Sequence, residues 1–146
     1  MPISTFALIL GAFYLMAGVL GFSPAFVTAP QTADPSLAVE SHYGYLFGLF
    51  PVNLLHNIVH ALIGVAGLLA WRNLFPQREY AQFIAAFYGL LTVLAFIPGA
   101  DTMMGLVPIF RHDIWLHAVS AALGAYYGWF YPMGRGQMGA RRAEAA

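Results

Sequence analysis

The chain has 146 residues, of which 60% are apolar and only 8% charged, six Arg against six acids with no Lys. A soluble domain of this size carries about a quarter of its residues as Asp, Glu, Lys and Arg, so a water-facing enzyme is excluded, and without a basic patch so is a nucleic-acid binder. With no Cys there is no disulfide framework, thiol nucleophile or thiolate metal site.

The charges leave four long gaps, residues 1–33, 41–71, 80–100 and 114–134, each reaching the roughly 20 residues that cross a bilayer as a helix. The first predicted span covers 4–22 and stops at Ser23 and Pro24. A cleavable signal peptide is the competing reading, but the apolar run is long for one and its start has no Lys or Arg. A polar loop, 23–44, follows with Asp34 and Glu40, and Pro35 and Ser36 suit the start of a short surface helix. The aromatic lead-in Tyr45, Leu46, Phe47 and Phe50 precedes Pro51, which suits a first helical turn, so the second span is placed at 51–71, about 31 Å long. Arg72 to Glu79 reads as a tight polar turn, and 80–97 as the third span, stopped by Pro98 and Gly99. The fourth is placed at 113–133, stopped by Gly134, with a tail over 134–146. Short connections favour antiparallel neighbours, so the expected fold is a single all-α integral membrane domain, four transmembrane helices in an up-down bundle.

Arginine placement orients it. Arg72, Arg78, Arg135, Arg141 and Arg142 share one side of such a bundle and Arg111 stands on the other, which puts both termini in the cytoplasm. Tyr43, Tyr45 and Trp115 then mark the outer boundary as an aromatic belt, and Trp71, Tyr80, Trp129 and Tyr131 the inner one.

Within the second span, Asn53, His56, Asn57 and His60 fall within eight residues. Polar side chains at this depth are costly unless they face the interior. Helical spacing joins them to Gly64 and Gly67 on one stripe, and the fourth span repeats the arrangement with Asp113, His117, Ser120, Gly124 and Gly128. Small residues let membrane helices approach closely, so spans two and four are expected to pack along these stripes. That would bring the polar halves together near the outer face, open to the outside, with Asp101, Arg111 and His112 as a rim.

His56, Asn57 and His60 have the spacing of a zinc-protease helix, but Asn57 stands where the general base belongs. Asp113, His117 and Ser120 lie on one helix stripe and do not converge as a catalytic triad must. No catalytic residue is assigned. The expectation is a non-enzymatic membrane component or accessory subunit, surrounded by lipid and part of a homo-oligomer or larger membrane complex. Three uses of the cluster stay open: a structural hydrogen-bond network, ligation of a metal, haem or pigment through His56, His60 and His117, and a proton or small-solute pathway. Met103 and Met104 beside Asp101 read as an amphipathic loop touching lipid, with soft-metal binding as the alternative.

The run Tyr45-Leu46-Phe47-Gly48-Leu49-Phe50-Pro51-Val52-Asn53-Leu54-Leu55-His56-Asn57-Ile58-Val59-His60, followed by Ile63, Gly64, Val65, Ala66 and Gly67, resembles the bacterial and cyanobacterial membrane family called domain of unknown function 4383. Asp113, Ile114, Trp115, Leu116, His117 and Ala118 look like that family's opening of the last helix. The resemblance implies a multi-pass, four-span protein of the bacterial inner membrane. It implies no activity, cofactor or catalytic residue.

Overall fold

The computed structural model describes residues 1–132; the tail 134–146, the expected span end at Met133, and Arg135, Arg141 and Arg142 lie outside the described residues. Helices form where the apolar runs lie: α1 (Ile3–Leu20), α2 (Leu54–Trp71), α3 (Gln77–Leu94) and α4 (His112–Ala125), the last continuing as a π-helical turn over Tyr126–Phe130. Two of them, α1 and α2, with mean hydropathy 2.1 and 1.7, are long and apolar enough to cross a membrane. α3 opens on Gln77, Arg78 and Glu79, whose acid suits the positive end of the helix dipole, and the α-helical part of α4 has 14 residues.

Several boundaries differ from expectation for local reasons. Tyr45 to Phe50 is a hairpin rather than a helical lead-in: β2 (Gly44–Leu46) pairs antiparallel with β3 (Phe50–Val52), and β1 (Val27–Thr28) pairs with β2 on its other edge. Phe47 and Gly48, with φ of 54° and 72°, make the turn. Pro51 sits in the edge strand β3, where a missing N–H is tolerated. α2 therefore starts at Leu54, and its cap is Asn53, whose Oδ1 accepts the His56 N–H at 3.0 Å. Pro35 and Ser36 lie in irregular chain and start no helix. The polar turn ends at Pro76, which caps α3, so Arg78 and Glu79 are helical.

Glycine decides which helices touch. A Cβ on Gly18 of α1 would stand 2.6 Å from the Ala61 nitrogen and the Asn57 carbonyl oxygen of α2, closer than any side chain can come. Gly64 and Gly67 face the α1 backbone at Leu15 and Gly11 in the same antiparallel seam. A Cβ on Gly124 of α4 would stand 2.7 Å from Ala81 and Ala85 backbone atoms of α3, and Gly128 faces Gln82. The expected packing of the second helix on the fourth along their glycines is thus corrected: α1 seams with α2 and α3 with α4. Each glycine stripe meets the helix adjacent in sequence across a long connection, residues 21–53 for α1 and α2 and 95–111 for α3 and α4, whereas α2 and α3, joined by the short turn 72–76, lie in different hairpins.

The two hairpins face each other across a layer of rings and branched side chains that includes Phe6, Tyr14, Ile63, Tyr80, Ile84 and Tyr88. Tyr14 stacks on Tyr88 at 4.9 Å between ring centres, and the Tyr80 hydroxyl donates to the Ile63 carbonyl at 3.4 Å. Tyr80 and Tyr45, expected in the aromatic belts, are buried instead. Trp71, Trp115 and Trp129 are exposed.

Both ends of the helix set are closed by side-chain hydrogen bonds. Where α2 and α4 begin, the Asn53 amide donates to the carbonyls of Val39 at 2.9 Å and Leu106 at 2.8 Å, tying two loops to the α2 cap. Arg111 pairs with Asp34 at 2.7 Å and covers the Tyr45 ring at 5.2 Å. Burial, with the Asp34 carboxylate alongside, holds the Tyr45 phenol above its ordinary range. At the other end the π-helical turn leaves carbonyls outside the regular ladder, and α3 supplies their donors. Arg78 reaches Gly128 at 3.1 Å and Tyr131 at 2.6 Å, and Gln82 reaches Gly128 at 3.1 Å.

Candidate functional site

His56 and His60 stand one turn apart on α2, and Asp113 and His117 one turn apart on α4, so each helix presents its pair to the space between the hairpins. All four are buried, with relative exposures of 0–3%. The His56 and His60 rings are 4.2 Å apart, and His56 and His117 6.2 Å. One ring nitrogen from each of His56, His60 and His117 lies within 4.8 Å of the other two. His56 Nε2 is 3.6 Å from Asp113 Oδ2, longer than a hydrogen bond. The expected convergence of helices two and four therefore holds at the polar half, although their glycines face elsewhere.

The expected site residues separate into two kinds. Asn53 is fully used by the cap and the two loop carbonyls. Ser120 bonds the Tyr14 hydroxyl at 2.7 Å, joining α4 to α1. By contrast, His56 Nδ1, both nitrogens of His60 and of His117, both oxygens of Asp113 and the Tyr88 hydroxyl are buried without a hydrogen-bond partner in the protein. Leaving such a group unsatisfied costs about 1–3 kcal/mol, and native interiors hold few of them. Asn57 also lacks partners, but its amide packs against Gly21, the residue that caps α1, beside the cluster rather than in it.

The rim is corrected outright. Arg111 belongs to the loop clasp with Asp34, Asp101 accepts the Gly99 N–H at 3.1 Å, and exposed His112 packs edge-on against Phe50 at 6.3 Å. None of the three reaches the histidines. The cluster is also not solvent-exposed as an open site would be: its histidines are buried, and Met103, Val107 and Ile109 from the segment before α4 line the cavity beside them.

Beside the cluster lies a cavity of about 200 Å³, lined by His56, His60 and His117 together with Phe87, Leu91 and Met103 among others. Sequence reasoning missed Tyr14, Tyr88 and the inward turn of Met103. Tyr14 makes an edge contact with His60 at 5.0 Å, and Tyr88 stacks on His117 at 4.8 Å. A signal for both was present: each tyrosine sits near the middle of an apolar run, whereas boundary tyrosines sit at its ends.

Fold and site together define a mostly helical protein with two candidate membrane spans and a buried three-histidine cluster between its helix hairpins. The chain belongs to the family described as Domain of unknown function (DUF4383), whose model matches residues 4–130. No curated protein and no solved structure matches it.

Proposed function

We propose that the protein is a non-enzymatic, four-span component of the bacterial inner membrane, with both ends on the arginine-rich cytoplasmic side, and that His56, His60 and His117 form a metal-binding centre. The membrane assignment is supported by the outward faces of all four helices. Ile9 and Phe13, Leu62 and Val65, Leu90 and Val93, and Trp115 and Val119 are exposed, while His56, His60, His117, Asn57 and Asp113 are buried. A soluble protein arranges these classes the other way round, and lipid suits such faces on each helix.

One observation carries the metal assignment: three buried imidazoles, of which His60 and His117 have no hydrogen-bond partner in the protein, bring ring nitrogens within 4.8 Å of one another. Zinc bound at 2.0–2.1 Å by tetrahedral nitrogens requires them about 3.3 Å apart, so the rings need to close by roughly 1.5 Å, a matter of side-chain rotation. Asp113 Oδ2 lies 3.6 Å from His56 Nε2, a small approach away from the hydrogen bond by which a carboxylate commonly orients a ligating imidazole. A structural network is the weaker account, since Asn53 and Ser120 have hydrogen-bond partners in the protein and His60 and His117 do not. Haem or a pigment is disfavoured by volume, because the cavity of about 200 Å³ falls below the roughly 300–1,000 Å³ of typical small-molecule sites. Conduction is disfavoured because the interior beyond Tyr14 and Ser120 continues through Leu10, Ile84, Ala81 and Phe6, which leaves the polar groups as an island.

Cobalt(II) titration of the protein purified in mild detergent tests the centre. One ion per chain is expected, and His60→Ala should abolish uptake; no uptake by the wild type, or full uptake by the variant, overturns it. Topology is tested on this cysteine-free chain with Ser36→Cys and Asn73→Cys. An impermeant maleimide should label the first in intact spheroplasts and the second only after lysis, and the reverse pattern sinks the orientation.

A further inference from the structure

The lining of the cavity beside the histidines includes a group of different chemistry. Met103 lines the same cavity as His56, His60 and His117. It arrives there through an unusual backbone: Met103 and Met104 both have positive φ, 49° and 58°, followed by Gly105 at 86°. Non-glycine residues in that region are strained and persist only where surrounding structure holds them. The holding structure is identifiable. The buried Thr102 hydroxyl accepts the Gly105 N–H at 3.2 Å, and the Met104 N–H reaches the Gly99 carbonyl at 3.3 Å. The Asp101 carbonyl accepts from Ile109 at 2.9 Å, and Asn53 fastens Leu106 to the α2 cap. The turn sends two adjacent methionines to opposite places: Met103 is partly buried against the core, and Met104 is 87% exposed.

A thioether is a soft and weak donor that contributes little to zinc but selects copper, above all Cu(I). Charge points the same way. The histidines are neutral when they ligate, and Asp113 is the one carboxylate beside them. One carboxylate balances one positive charge. The cost of moving an ion into a low-dielectric interior grows with the square of its charge, so a divalent ion among Leu91, Phe87 and Val59 keeps an unbalanced charge that a monovalent ion does not. Sodium and potassium fail on donor type, since imidazole and thioether are poor ligands for hard cations.

Resting on the metal-centre assignment above, we infer that the centre is a Cu(I) site, with His56, His60 and His117 supplying nitrogen, Met103 the thioether and Asp113 the compensating charge. His56 then ligates through Nδ1, the nitrogen turned away from Asp113. Because the chain has no Cys, any sulfur bound to the metal is a methionine thioether.

The test is anaerobic competition for Cu(I) between the detergent-purified full chain and a colorimetric chelator, run beside the cobalt(II) titration. The wild type should hold one Cu(I) per chain, with a sulfur scatterer beside nitrogens in X-ray absorption. Met103→Leu, which conserves volume, should weaken Cu(I) binding roughly tenfold and erase the sulfur signal, while its cobalt(II) uptake shows that the variant is folded. Met104→Leu should match the wild type. Asp113→Asn should weaken binding by about 10–100-fold, as loss of an orienting carboxylate does. Cobalt(II) uptake without preferred Cu(I) uptake, or equal Cu(I) affinity in Met103→Leu and wild type, overturns the copper assignment and leaves the metal centre standing. A wild-type chain that takes up neither ion overturns both.

Discussion

Within each hairpin the helices touch backbone to backbone, and between the hairpins they are held apart by rings. The difference shows where such a fold keeps its stability and where it keeps its chemistry. At Gly18 against Ala61, or Gly124 against Ala81, no side chain intervenes, and close backbone approach is the means by which helices attract in an apolar solvent. Between the hairpins, Tyr14 stacks on Tyr88, and each carries a histidine ring of its own hairpin against it, His60 on Tyr14 and His117 on Tyr88. The three clustered imidazoles lie in that wider space. The glycine seams gain from every contact, whereas the histidine layer gives up stability through its unsatisfied nitrogens.

Substitutions on the two sides of this comparison should differ in size and then in sign. Gly18→Val should destabilise most, by about 3 kcal/mol, because the new side chain meets backbone that cannot move aside; thermal unfolding in detergent reads this, and an unchanged midpoint would mean the seam is loose. Asn53→Ala should cost about 2 kcal/mol through the lost cap and should raise hydrogen exchange around Val39 and Leu106, its two loop partners. Asn53→Asp keeps the acceptor and should restore the cap but not the loop protection. Tyr14→Phe, inside the ring layer, should cost about 1 kcal/mol for the Ser120 hydrogen bond. His60→Leu should reverse the sign, raising metal-free stability by about 1 kcal/mol as it removes two unpartnered nitrogens. A clear loss of stability in metal-free His60→Leu would mean that the histidine layer is structural after all, and would merge the two regions into one.

Much of the site was legible because its cost was legible. His56, His60, Asp113 and His117 draw attention as polar groups in apolar runs, and helical spacing alone puts each pair on one face. The split between Asn53 and the histidines was not legible, since both are polar residues of the same stripe. What separates them is that Asn53 meets the carbonyls of Val39 and Leu106, 14 and 53 residues away along the chain. Pro51 misled for a comparable reason. Its ring suits a first helical turn, and an edge strand suits it equally once Gly44–Leu46 lies alongside. The rim failed because proximity in sequence to Asp113 does not bring Arg111 near the cluster: the guanidinium turns to Asp34, in the first loop.

Patterns that repeat at short range were set by the sequence itself: the apolar runs, the stripes at three- and four-residue spacing and the family signature over residues 4–130. These depend on helix geometry and on the cost of polar atoms in an apolar run, which every residue carries with it. The partner of each stripe was decided only in three dimensions. Gly64 and Gly67 went to α1, Gly124 and Gly128 to α3, and the histidines to one another, with Tyr14, Tyr88 and Met103 around them. A stripe records that something must be covered. What covers it depends on the fit of side chains and backbone across the gap, which no local pattern contains.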